Sequence, residues 1–171
     1  MASAGGAPQT VAHLSDRLAR DWQLSPDGGR LAYLAQTQGA GLAAHVLDLS
    51  TGRVTAPFAA ADAAQFHPTW EHDGSLTIGV LGEGGSAGAL SLQLGDGGAA
   101  AVESLPGTTG GIDVPLSWSP GGEHLVVRAF EGNTTADPGP SRVVVLDPAG
   151  ERRPLSPLSD VAVAGWLVSL G

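Results

Sequence analysis

Trp118-Ser119-Pro120-Gly121-Gly122, then two residues, then Leu125-Val126-Val127, is the stretch on which the fold turns, because the chain writes it three times. The first copy is Leu24-Ser25-Pro26-Asp27-Gly28, leading into Arg30-Leu31-Ala32-Tyr33-Leu34. The second is Trp70-Glu71-His72-Asp73-Gly74, leading one residue sooner into Leu76-Thr77-Ile78. The pattern is that of a tight turn between two strands. Pro26 and Pro120 preset φ at the first corner, Asp27 and Asp73 suit the second, and Gly28, Gly74 and Gly122 accept the positive φ at which the chain reverses.

The turn glycines set periods of 46 and 48 residues. Trp22, Trp70, Trp118 and Trp166 recur every 48 residues, which leaves Trp22 two residues early relative to its own turn. A shift of two along a strand keeps the same face. After each turn strand comes a third β-prone run: Ala44–Leu49, Ala89–Leu94 and Arg142–Asp147. Each enters another turn, at Ser50-Thr51-Gly52, Gly95-Asp96-Gly97 and Pro148-Ala149-Gly150. A weaker fourth run follows, around Arg53–Pro57, Ala99–Ser104 and Glu151–Leu155.

Four short strands at a fixed period are the signature of a propeller blade. The expected fold is therefore all-β: an incomplete β-propeller of about three four-stranded antiparallel blades plus the first strand of a fourth. Blade 1 falls at about 20–60, blade 2 at about 64–107 and blade 3 at about 112–157. The fourth opens at about 160–171 with Val161–Trp166, and residues 1–9 are expected to form a flexible tail ahead of the blades. Thr10–Leu14 is read as an outer strand for a blade outside these copies, although Val11, Leu14 and Leu18 would also share a helical face. A β-sandwich gives no reason for this period, and helices would need 3.6-residue spacing that Gly and Pro interrupt.

The repeat resembles that of TolB-type propellers. Similar repeats occur in the propeller domains of prolyl-oligopeptidase-like serine peptidases. Leu24-Ser25-Pro26-Asp27-Gly28 and Trp118-Ser119-Pro120-Gly121-Gly122 carry the likeness, whereas Glu71-His72 departs from it. The resemblance covers about residues 20–166 and implies a fold more than an activity, since propellers host unrelated functions.

Composition narrows the partners. The 171 residues include 26 glycines and 12 prolines, as many turns require, and no cysteine, so no disulfide can staple the fold. Net charge is −9, and all eight cations are arginine, a usage that suggests GC-rich bacterial coding. An acidic surface of this kind repels phosphate backbones and anionic headgroups, which argues against nucleic acid. No apolar run reaches the roughly 18 residues of a membrane helix. The first ten residues lack the basic and apolar regions of a secretion signal, which points to the cytoplasm, while the resemblance points to the periplasm.

Few residues carry chemistry. Gly84-Gly85-Ser86-Ala87-Gly88 spells a nucleophile elbow, but it lies inside a predicted hairpin rather than between a strand and a helix, so it reads as a turn. Gly82-Glu83-Gly84 and Gly95-Asp96-Gly97 open no helix and read the same way. His67, His72 and Asp73 are the one cluster near metal-ligand spacing, with no fourth ligand in view. No catalytic residue, cofactor or metal is expected. Trp22, Trp70, Trp118 and Trp166, with Pro26, Asp27, Gly28, Asp73, Gly74, Pro120 and Gly122, are assigned to the structural repeat, the tryptophans as core or inter-blade packing.

The longest insertion, Glu131–Ser141, is the candidate contact loop, with Glu131, Asn133 and Asp137 at its polar positions. Asn133-Thr134-Thr135 also matches a glycosylation sequon of little weight. The expected role is a non-enzymatic scaffold that binds a protein or peptide, or a second copy of itself, through loops and open blade edges. The runner-up is the propeller portion of a prolyl-oligopeptidase-like peptidase. An arc of blades should leave two terminal faces bare, each forfeiting on the order of 10 kcal/mol of burial at several hundred Å².

Overall fold

A computed structural model of the chain describes residues 10, 19–36, 41–58, 63–82, 87–95, 98–108, 111–155, 162–163 and 166. The described residues form three four-stranded antiparallel sheets. Blade 1 has the order β1-β2-β3-β4: Ala19–Leu24, Arg30–Gln36, Leu42–Asp48 and Val54–Thr55. Blade 2 comprises β5 to β8: Ala64–Trp70, Leu76–Leu81, Ala87–Gly95 and Gly98–Ser104. Blade 3 comprises β9 to β12: Ile112–Trp118, Leu125–Phe130, Ser141–Leu146 and Arg152–Pro154. The first strands adjoin one another, β1 beside β5 and β5 beside β9, so the blades fan outward from them.

The repeated turn owes its shape to the residues that spell it. In blade 1 the Gly28 amide donates to Ser25 O at 2.9 Å, with Gly28 at φ 72°. Ser25 Oγ donates to Asp27 Oδ1 (2.6 Å) and accepts from the Arg30 amide (2.8 Å), stapling both strands to the corner. In blade 3 Ser119 Oγ accepts from the His124 amide at 3.0 Å, and Gly122 stands at φ 75°. Blade 2 lacks that serine; there Asp73 Oδ1 accepts from the Ser75 amide at 2.8 Å.

Alternation then divides each blade into two faces. Leu24, Trp70 and Trp118 are register equivalents, each ending its first strand opposite Leu31, Leu76 or Leu125. Trp70, Leu76, Ile78 and Leu92 of blade 2 bury against Ala32, Leu34, Ala44 and Val46 of blade 1. Leu125, Val127, Ala129, Val144 and Leu146 of blade 3 form the next cluster, with Leu105 and Trp118 packed on it. The second seam is tight: a Cβ on Gly79 would overlap the Asp113 carbonyl oxygen and lie 3.0 Å from Pro115 Cδ.

The terminal faces differ from expectation. On the outer face of blade 1, Tyr33, Ala35 and Leu47 are buried, and Trp22 stacks on Tyr33 at 4.8 Å. On the far side of blade 3, Val126 and Val143 are buried too. What stays open on the first strand is Trp22 (44% exposed) and Leu24 (58%). Both terminal blades therefore bury apolar side chains that a bare face would leave open. Of the fourth copy, Ala162, Val163 and Trp166 are described, none of them in a strand, and Val161 lies outside the described residues, as do Val11–Leu14.

Candidate functional site

Three of the four tryptophans define the seams between blades; Trp22, expected to pack in the same way, instead lies half-exposed on Tyr33 of its own blade, because Leu24 holds the equivalent register position. Trp70 Nε1 donates to Gln23 O in blade 1 at 2.8 Å. Trp118 Nε1 donates to Thr77 Oγ1 in blade 2 at 2.9 Å, and Trp166 Nε1 donates to Ser117 Oγ in blade 3 at 3.1 Å. Each indole thus anchors its own copy to the one before it, burying an apolar ring while satisfying its single donor. Leu24 occupies the equivalent place in blade 1 and, among the described residues, meets no such neighbour.

The blade 2 turn departs from the repeat for a structural reason. Glu71, where the other copies have serine, accepts from Thr77 Oγ1 at 2.8 Å and from Ser91 Oγ at 2.5 Å. Thr77 in turn accepts from Trp118, so a chain of polar contacts runs from Glu71 across the seam between blades 2 and 3. His72 lies at the same corner, its Cβ 3.3 Å from where a Gly122 Cβ would stand.

Every first strand carries a bulge: between Arg20 and Gln23, between Phe66 and Thr69, and opposite Val126–Val127. Asp21 (φ 57°) and His67 (φ 22°) take positive φ there, a conformation costly for residues with a Cβ. The bulges bring blades 1 and 2 together through side chains, with Gln23 Nε2 lying 3.4 Å from His67 Nε2. Burial holds the His67 imidazole below the usual histidine value; the Asp21 carboxylate partly offsets this and Arg20 adds to it. His67, placed by the sequence on the approach to a strand, therefore sits within β5.

Two clefts open beside the seams. One of ≈360 Å³ in blade 3 is lined by Asp113, Arg152, Phe130, Arg142 and Glu131. Both of its arginines are neutralised. Arg152 pairs with buried Asp113 through two bonds of 2.8 Å and also donates to Gly107 O in blade 2 (2.6 Å). Arg142 pairs with Glu131 at 2.5 Å. The other cleft, ≈560 Å³ between blades 1 and 2, is lined by Arg30, Arg53, Asp48, Thr51, Val46 and Leu94, among others.

The remaining sequence candidates scatter. His67, His72 and Asp73 do not converge, and no group of three potential metal ligands occurs among the described residues. Of the elbow-like string, Gly84–Ser86 lie outside the described residues, while Ala87 and Gly88 belong to β7. Gly95 ends β7, with Asp96 and Gly97 outside the described residues. The insertion between β10 and β11 is internally bonded: the Gly132 amide donates to Pro138 O (2.8 Å) and the Asp137 amide to Thr134 Oγ1 (3.1 Å). Asn133 and Asp137 are exposed there, and Glu131 belongs to the rim of the blade 3 cleft. The Asp113–Arg152 pair and the Asp21–His67 bulges had no counterpart in the sequence reading; a charge at a strand position otherwise held by apolar residues was the one available sign.

Three antiparallel four-stranded sheets fanned from adjoining first strands, with an indole bond at each seam, define an arc of β-propeller blades. Solved structures bear this out. A TolB structure from Acinetobacter baumannii matches 81% of the chain at 19% identity with a TM-score of 0.61. One from Agrobacterium tumefaciens matches 83% at 21% identity and a TM-score of 0.66, and a prolyl endopeptidase matches 81% at 19% and 0.54. The chain spans 33% and 50% of the two TolB chains and 22% of the endopeptidase chain. At such identities the likeness is one of fold. Neither a protein-family model nor a curated protein sequence matches the chain.

Proposed function

We propose that the chain is a non-enzymatic propeller scaffold, its three blades working as part of a larger ring and holding a protein or peptide partner through blade faces and loops. The observation that carries this reading is Leu24. Its register equivalents Trp70 and Trp118 dock on the preceding blade, whereas Leu24 and the neighbouring Trp22 stay exposed, offering a blade-docking position to another chain or another blade. The polar residues best suited to chemistry are otherwise engaged: Glu71 holds two hydroxyls and Asp113 an arginine.

Sedimentation velocity across a concentration series tests the reading. Concentration-dependent association is expected for the native chain and should vanish in the Trp22→Ser, Leu24→Ser double variant at unchanged circular dichroism. Association indifferent to that change refutes the docking position. The prolyl endopeptidase likeness favours a second reading, in which the blades belong to a peptidase whose hydrolase domain lies elsewhere. A fluorogenic prolyl peptide separates the two, because hydrolysis by this chain alone ends the scaffold reading.

A further inference from the structure

The two clefts make a controlled comparison within one molecule. Each is lined by two arginines, and in a chain of net charge −9 carboxylates are plentiful. In the blade 3 cleft both guanidinium groups face a carboxylate. In the cleft between blades 1 and 2, neither Arg30 nor Arg53 has a carboxylate within 4.0 Å among the described residues. Asp48 lines the same cleft beyond ion-pair distance of either arginine, its Oδ1 turned to its own turn, where it accepts from the amides and hydroxyls of both Ser50 and Thr51; its single charge leaves the two arginines in excess there.

Arg30 is held ready. Its guanidinium lies 4.8 Å from the centroid of the Trp70 ring and donates once, to Gly74 O at 3.2 Å. A guanidinium has five N–H donors in a planar fork, so most of them remain for a ligand. Arg53 follows the Asp48 turn directly, and that turn's bonds fix the backbone from which it projects. Thr51 and Thr55 add hydroxyls, and Val46 and Leu94 give the cleft an apolar wall. Its volume is in the range of small-ligand sites.

We propose that this cleft binds a carboxylate side chain of a partner peptide, with Arg30 and Arg53 as the paired cations. The inference deepens the scaffold reading and rests on it. A peptide carboxylate is favoured over a polyanion because the field of the whole chain repels extended negative charge, while one carboxylate is drawn to two guanidinium groups that no ion pair engages among the described residues. The apolar wall suits residues flanking the acid.

The probe is an N-acetylated tripeptide amide with glutamate between two leucines, titrated into the full chain while the arginine Nε–H resonances are followed by NMR. Saturable shifts are expected at Arg30 and Arg53 and not at Arg142 or Arg152. Replacing the probe's glutamate by glutamine should weaken binding at least tenfold, and Arg53→Gln at least fivefold, with Arg142→Gln as the unaffected control. Arg53 is exposed, so its loss leaves the fold intact.

Equal binding of the glutamate and glutamine probes, or equal loss in Arg53→Gln and Arg142→Gln, overturns the proposal. Inorganic phosphate or acetate displacing the probe below the probe's own dissociation constant assigns the site to a free anion and overturns it as well. If the probe is ignored while Trp22 and Leu24 still govern association, the cleft inference falls and the scaffold reading stands.

Discussion

Replacing Asp113 by Asn should cost the chain about 2–3 kcal/mol, and the figure follows from the geometry of one pair. Asp113 keeps 3% of its side-chain exposure and receives two bonds of 2.8 Å from Arg152, which keeps 31%. Breaking a fully buried pair costs about 3–5 kcal/mol, because a charge is left without a partner. Water reaching the Arg152 guanidinium softens that penalty toward about 2–3 kcal/mol. For a chain of this size the loss lowers Tm by roughly 4–12 °C.

Urea unfolding of Asp113→Asn, Arg152→Gln and the double variant measures the coupling directly. Each single change should be costly, and the second should add little once the first is made, giving about 2 kcal/mol of interaction energy. Because Arg152 also reaches Gly107 O, the same pair ties blade 3 to the turn that follows β8. A coupling below about 0.5 kcal/mol would refute the claim that the bidentate pair joins the first and last strands of this blade.

Gly79→Ala forces blades 2 and 3 apart at the Asp113 carbonyl and should destabilise by about 1–3 kcal/mol, read as a lower midpoint in urea. The bonds from Ser50 and Thr51 hold Asp48 at about 2 against an ordinary 3.8, so its contribution is full above pH 4 and fades as pH falls towards 2. A carboxyl-carbon NMR titration reads the value, and Asp48→Asn should abolish this pH dependence. Burial holds His45 and His67 below 6.5, so the folded chain binds fewer protons than the unfolded one. Stability should be level above about pH 6.5 and decline below it, with a smaller decline in His67→Gln, as melting curves at pH 7.5 and 5.5 would show. His45 Nε2 is buried without a partner among the described residues, so His45→Phe should hold or raise the neutral-pH Tm while keeping the stack on Tyr33.

The blade repeat was legible because its signals are local. Ser25-Pro26-Asp27-Gly28 states a corner within four residues, and the alternation after it states which face is buried. Strand ends moved by only a residue or two, as in β3 at Leu42–Asp48 against the expected Ala44–Leu49. What the sequence could not convey is pairing across distance. Asp113 meets Arg152 through the twist of an entire blade, and His67 meets Gln23 because two bulges coincide in space. The bare terminal faces were misjudged for the same reason: burial of Tyr33 or Val143 depends on what lies over it, which periodicity does not record. Glu71, a departure from the repeat in sequence, is the acceptor at the end of a polar chain that crosses the seam.

The spacing of the indoles has a practical corollary. Trp70 is 7% exposed at an internal seam, whereas Trp22 is 44% exposed at the molecule's rim. The first should emit in the blue and the second in the red, with only the second open to quenching by dissolved iodide or acrylamide. With Trp118 and Trp166 replaced by phenylalanine, separation of the blades and arrival of a visitor at the rim would then be told apart by colour in a single unlabelled sample.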